Sequence, residues 1–271
     1  MGRVYTLVNQ KGGVGKTTTA INLGAYLARF GQRVLIVDAD PQANATSSLG
    51  VDKHTVKGGT YEALLGGAPA SALVLQNPRL KLAILPASPS LAGAEVELVN
   101  ELGRESRLKQ ALAPLVERYD YILIDCPPSL GLLTVNGLMA ARDGVLIPVQ
   151  CEYLALEGLG ELTRTIQRVR SAIFPSLKVR GVILTMFDSR THLSEDVVAE
   201  VHKYFLEKVF DAIIPRSVRL AEAPSYGLPV SEYAPGSNAA KSYEALAREL
   251  LKNDGITITE NGESVLHEKD L

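Results

Sequence analysis

The sequence predicts an α/β fold, a mostly parallel twisted sheet with helices on both faces. Short, near-continuous apolar runs recur along the chain, separated by stretches of helical periodicity. Several runs end in aspartate or meet a proline, as buried strands do where they enter loops. A third observation is a glycine- and lysine-rich turn directly after the first run.

The elements follow in order. Residues 4–8 are an apolar, β-branched strand, and from Lys16 onward Ala20, Leu23, Gly24, Leu27 and Ala28 recur at helical spacing. Residues 33–38 form the second strand, and residues 82–85, stopped by Pro86, the third. Helical patterns over 91–102 and 105–117 lead to a strand at 121–125, closed by Pro127 and Pro128. A helix at 131–141, a strand at 144–149, a helix at 157–174 and a strand at 182–186 continue the alternation. A helix at 193–207 precedes a candidate seventh strand at 209–214, stopped by Pro215, and a last helix covers 237–252. Residues 1–253 therefore read as one domain, and 254–271 as a polar, acidic, mobile tail.

The turn reads Lys11-Gly12-Gly13-Val14-Gly15-Lys16-Thr17-Thr18. It departs from the phosphate-loop template G-x-x-x-x-G-K-[ST], because the first glycine of that template falls on Gln10. Strand, glycine-rich turn and helix are nevertheless the context that a phosphate loop requires, which makes the fold that of a P-loop nucleoside triphosphatase. Lys16 is placed to reach the β- and γ-phosphates, and the Thr17 hydroxyl to ligate Mg²⁺. Lys11 is an added cation five residues earlier. One loop cannot easily aim both lysines at the same phosphates, so Lys11 is assigned to a nucleotide held by a second subunit.

Three carboxylates fall at strand ends, where such a sheet binds its ligand. Asp125 is expected to hold Mg²⁺ directly or through water, and Asp38 is a further candidate metal ligand. Asp40 is expected to orient the attacking water or accept its proton. The loops after Asp40 and Asp125 are candidates for sensing the γ-phosphate.

Composition narrows the class. Hydrophobic residues make up 46% of 271, enough for a sizeable core, and no apolar run approaches the ~20 residues that span a bilayer. The chain starts directly with a strand, so a cytoplasmic protein without a signal peptide is expected. Cys126 and Cys151 lie in apolar runs and read as buried free thiols. Net charge is −2, but residues 164–219 carry ten Lys or Arg against six Asp or Glu, a zone that can favour a polyanion.

These residues resemble the ParA/Soj chromosome- and plasmid-partitioning ATPases, within the group that includes MinD and the nitrogenase iron protein. The resemblance spans residues 2–252. It rests on the segments at 11–18, 38–42 (Asp38-Ala39-Asp40-Pro41-Gln42), 119–129, 184–191 and 214–225. It implies an ATP-sandwich dimer, with Lys11 touching the partner subunit's phosphates and Asp40 as the hydrolytic residue. Gly12, Gly13, Val14, Gly15, Lys16, Thr17 and Thr18 would cradle the nucleotide, and Pro215 to Ser217 would lie against the adenine. The ATP-bound dimer would bind double-stranded DNA without sequence preference at the nucleoid. A ParB-type centromere-binding protein would stimulate slow hydrolysis and release it.

Arg190, Arg216 and Arg219 fall in or after loops, where they are available to phosphates, although Arg216 could serve the nucleotide loop instead. Two enzymatic rivals share the scaffold. A MinD-like membrane ATPase needs a basic amphipathic C-terminal helix, whereas 254–271 is acidic and lacks Trp and Phe. An iron–sulfur carrier needs thiolate ligands, and neither cysteine lies in a CxxC. A third reading makes the nucleotide only a conformational switch.

Overall fold

A computed structural model describes residues 1–152, 155–258 and 264–266. Seven strands form the main sheet: β1 (Arg3–Leu7), β2 (Val34–Asp38), β3 (Leu75–Asn77), β4 (Leu82–Leu85), β5 (Tyr121–Asp125), β6 (Gly144–Gln150) and β7 (Val179–Thr185). Their order is β3-β4-β2-β5-β1-β6-β7, parallel except for the antiparallel edge strand β3. The helices are α1 (Lys16–Arg29), α2 (Asn44–Ser48), α3 (Thr60–Leu65), α4 (Ala70–Leu73), α5 (Leu91–Glu97), α6 (Arg107–Leu112), α7 (Leu132–Ala140), α8 (Ala155–Ala172), α9 (His192–Phe205), α10 (Val218–Glu222), α11 (Val230–Tyr233) and α12 (Asn238–Asn253).

Strand alternation sorts the core into two layers. In β5, Ile122 and Ile124 face the layer built with α3 and α5 to α9, while Tyr121 and Leu123 face α1 and α12. Both faces are covered, which is why the central strands are apolar at almost every position.

The structure corrects several expectations. Residues 209–214 are not a strand; only single bridges join Val209 to Val182 and Pro215 to Phe187. The backbone N–H groups of Asp211 and Ala212 donate instead to the Glu249 carboxylate at 2.9 and 3.1 Å, which draws them off the β7 ladder. The seventh strand is β3, three residues long and too short for a readable period. The helix expected over 105–117 is broken at Pro114, which lies in a 3₁₀ turn at Ala113–Leu115. The helix at 91–102 ends at Glu97, followed by a 3₁₀ turn at Leu98–Asn100.

The tail begins later than the sequence suggests. Asp254 is buried at the end of α12 and accepts hydrogen bonds from Tyr5 Oη (2.8 Å), Tyr121 Oη (2.9 Å) and Arg180 Nη2 (2.8 Å), with Arg3 Nε at 3.5 Å. Burial and the Asp254 charge push both tyrosine pKa values up. β8 (Ile256–Ile258) then pairs antiparallel with β9 (Ser264–Leu266). Residues 259–263 and 267–271 of the expected tail lie outside the described residues. Asp254→Ala is expected to destabilise the fold by about 1–3 kcal/mol, because two part-buried guanidinium groups and two buried hydroxyls lose their acceptor. Urea unfolding of the variant against the parent chain checks this.

Candidate functional site

Register brings the candidate residues together. Leu7 of β1 and Asp38 of β2 both lie opposite Asp125 of β5. The loop after β1 and both acidic strand ends therefore share one end of three adjacent strands, the ligand-binding end of an open α/β sheet.

The loop at 11–15 leads straight into α1. Gly13 and Gly15 have φ of +74° and +89°, conformations that side chains resist. Gly15 is the N-cap of α1, and no acidic residue occupies the first turn. The helix terminus therefore presents uncompensated N–H groups, worth up to ~2 kcal/mol to a partly buried anion. Buried Val14 gives its carbonyl to Thr185 Oγ1 at 2.8 Å, which ties the loop to the end of β7. Asn9 fixes the loop's start: its Nδ2 donates to Pro148 O at 2.8 Å, and its Oδ1 accepts from Lys11 N at 3.0 Å.

Lys16 is buried and donates to the Lys11 carbonyl at 3.2 Å. Burial lowers its pKa, against the opposing pull of Asp125 and Asp40. Lys11 is part-exposed, with its Nζ 4.0 Å from Glu152 Oε2. The two lysines thus point to different partners.

Asp125 is fully buried, and among the described residues neither of its oxygens meets a donor in hydrogen-bond geometry. Burial holds its pKa well above the ordinary carboxylate value; the Asp38 charge adds to this, while nearby Thr17 and Lys16 oppose it. An orphaned buried carboxylate costs about 1–3 kcal/mol or more. A hard cation relieves it, and Mg²⁺ is typically held by one or two protein oxygens together with phosphate oxygens. The donor chemistry fits that pattern, with Thr17 beside the buried Asp125 carboxylate, unpartnered among the described residues.

Asp38, unlike Asp125, is already hydrogen-bonded. Its carboxylate accepts from Thr46 N (2.8 Å), Thr46 Oγ1 (2.6 Å) and Asp40 N (3.2 Å), while burial raises its pKa to about 6. Thr46 in turn accepts from Ala87 N at 2.9 Å. Asp38 therefore folds the loop after β2 and pins it to the end of β4, which holds Asp40 at the site. Asp40 is buried and accepts from Gln42 N at 2.9 Å through Oδ1.

Residues 214–217 reach the same end of the sheet, because Phe187 N donates to Ile214 O (3.1 Å) and Arg216 N to Phe187 O (2.9 Å). Pro215 and Ser217 thus lie near the end of β7, where Thr185 holds the Val14 carbonyl. Arg190, Arg216 and Arg219 are all exposed, and each pairs with a carboxylate: Asp188 (2.7 Å), Glu152 (2.8 Å) and Glu222 (2.9 Å) respectively. Exposed pairs of this kind are weak and screened by solvent, so they compete little with a phosphate. Cys126 and Cys151 are buried, and burial pushes the Cys151 thiol up to about 12.

Sequence reasoning assigned no role to Thr185, Asn9, Thr46 or Glu152. Each has a partner in a distant element, Asn9 with Pro148, Thr46 with Ala87, Thr185 with Val14 and Glu152 with Lys11, which leaves little local spacing to detect.

A family model described as an AAA domain matches residues 2–179. The chromosome partitioning protein ParA of Myxococcus xanthus is 55% identical over 254 residues, 94% of this chain and 89% of that protein. The sporulation initiation inhibitor protein Soj of Bacillus subtilis is 52% identical over 253 residues, 93% of this chain and 100% of that protein. The chain belongs to the ParA/Soj family of P-loop ATPases. Solved structures agree with the fold. A Mycobacterium smegmatis protein, described as cobyrinic acid a,c-diamide synthase with bound ADP and magnesium, superposes with a TM-score of 0.82 at 42% identity, covering 93% of this chain and 95% of that one. The septum site-determining protein MinD of Pyrococcus horikoshii, complexed with Mg-ADP, gives 0.74 at 26% identity, covering 94% and 98%. Among the described residues of this ParA/Soj chain, no helix is long and apolar enough to cross a membrane.

Proposed function

We propose that this protein is a DNA-partitioning ATPase that binds ATP and Mg²⁺, closes as a nucleotide-sandwiched homodimer and holds DNA without sequence preference. The observation that carries the reading is the pair of differently directed lysines beside an orphaned Asp125. Mg²⁺, when bound, neutralises the phosphate oxygens and polarises the γ-phosphoryl group. Lys16 and the N–H groups of Gly12 to Thr18 hold the phosphates, and Thr17 and Asp125 supply the metal's protein oxygens. Pro215 and Ser217 border the adenine. Asp40 orients the attacking water, and Lys11 reaches the nucleotide of the second subunit. Arg190, Arg216 and Arg219 contact DNA phosphates once dimerisation aligns both subunits' arginines in one footprint. A ParB-type protein accelerates an otherwise slow hydrolysis and frees the dimer, which cycles between nucleoid and cytoplasm. Partitioning relatives at 52–55% identity along nearly the whole chain support this reading.

Lys11→Ala tests it. The variant is expected to bind ATP like the parent chain but to remain monomeric, and to bind non-specific duplex at least about 100-fold more weakly in the presence of ATP. ATP titration, light scattering and DNA binding with no nucleotide, ADP or ATP read the three properties separately. A Lys11→Ala chain that still dimerises with ATP would remove the cross-subunit role.

A further inference from the structure

We propose that the cavity between α6, the start of β1 and the end of α7 binds a small carboxylate with an apolar body, of the medium-chain acyl or aromatic kind. The inference goes beyond the partitioning reading and does not rest on it.

A single cavity of about 380 Å³ joins these elements, so its lining is one continuous surface. Val4 of β1, Leu112 of α6, Val116 and Ala140 of α7 form an apolar floor, each of them buried. The half-buried Phe174 ring stands beside them. Water in such a hollow meets few polar partners, and an apolar body that displaces it gains the free energy of leaving water. A cavity of this volume suits a small molecule.

The mouth selects the charge. Lys109 and Arg142 line the cavity and are exposed, and its lining holds no Asp or Glu among the described residues. Lys109 Nζ lies 5.2 Å from the centre of the Phe174 ring, which keeps the ammonium at the mouth. Among the described residues neither cation is paired with a carboxylate. The adjoining cleft shares Met1 and Arg142 and is lined by Glu117, Asp120 and Asp143. There Arg33 takes Asp120 at 2.7 Å, and Asp143 accepts from Val4 N at 2.8 Å. An anionic head therefore gains from two available cations while its apolar body covers the floor. A nucleic-acid backbone has no apolar body to place there, and a cationic amphiphile meets like charge.

The cavity is separate from the nucleotide site. Val4 lies near the start of β1, whose other end, Leu7, faces Asp125 and leads into the phosphate loop. A ligand in the cavity leaves that end of the sheet free.

The test titrates decanoate into the full chain by calorimetry, with decyltrimethylammonium as the amphiphile of equal chain length and opposite charge. The parent chain is expected to bind decanoate saturably and at least about tenfold more tightly than the cation. Lys109→Ala/Arg142→Ala removes the charge at the mouth. Ala113→Trp fills the hollow from an exposed position of its lining. Each variant is expected to weaken decanoate binding at least about tenfold, with melting temperature and ATP affinity unchanged. No saturable binding by the parent chain up to about 10 mM, equal affinity for the two amphiphiles, or parental decanoate affinity in either variant overturns the proposal. Decanoate that competes directly with ATP would lie at the nucleotide end and overturn it as well.

Discussion

Asp125→Asn is expected to reduce magnesium-dependent ATP hydrolysis at least about 100-fold and, at the same time, to stabilise the nucleotide-free protein. The activity loss follows from removing the buried oxygen best suited to the cation, whose charge stabilisation is worth several kcal/mol. The gain in stability follows from burial. A carboxylate whose folded pKa is raised contributes stability that is fully present below its unfolded value, near 4, and lost as pH rises through the folded value. The neutral amide of the Asp125→Asn variant carries no charge to bury, so the variant escapes that loss. Asp38, raised to about 6, behaves in the same sense between pH ~4 and ~6 and remains in the variant. The parent chain should therefore lose both of these contributions from pH ~4 upward, and the variant only that of Asp38. Each kcal/mol regained raises the melting temperature by about 2–4 °C. Thermal scans at pH ~5 and ~8, with and without Mg-ATP, measure both effects on either side of the Asp38 transition. A variant that melts below the parent at the higher pH without ligand would contradict the account of Asp125 as a carboxylate whose burial costs stability.

Lys16→Ala is expected to weaken ATP binding by about 2–5 kcal/mol, roughly 30- to several-thousand-fold. Lys16 sits at the first position of α1 with its charge already held in a buried setting, so its affinity for phosphate is not spent on reordering. Its hydrogen bond to the Lys11 carbonyl is one that a phosphate oxygen can replace. The fold should survive the change, since removing a buried cation with a lowered pKa also removes its desolvation cost. Isothermal titration with ATP and a circular-dichroism melt separate lost binding from lost structure. ATP affinity within a factor of about three of the parent would remove Lys16 from the phosphate site.

Much of this protein is written locally in its sequence. The apolar runs at β1, β2, β4, β5, β6 and β7 are buried on both faces, so composition alone marks them as strands. The glycine-rich loop is equally legible, because glycines at φ of +74° and +89° and a lysine at the helix start are properties of adjacent residues. Asp125 and Asp40 are legible as carboxylates that end or follow apolar runs.

Tertiary structure decided what depends on residues far apart in the chain. Asp38 and Asp125 look alike in sequence, yet Thr46 and the Asp40 backbone satisfy the first, while the second meets no donor in hydrogen-bond geometry among the described residues. β3 pairs only with the edge that β4 offers, and residues 209–214 touch β7 at Phe210 and Ile214 without forming a continuous strand, because Glu249 takes two of the N–H groups between them. Asp254 reads as the start of an acidic tail but is held by Tyr5, Tyr121, Arg3 and Arg180. A chain sets its own strands, helices and turns through neighbouring side chains. Which polar group meets which partner is set by how those elements pack, since a hydrogen bond or ion pair forms across a few ångströms of space whatever the separation in sequence.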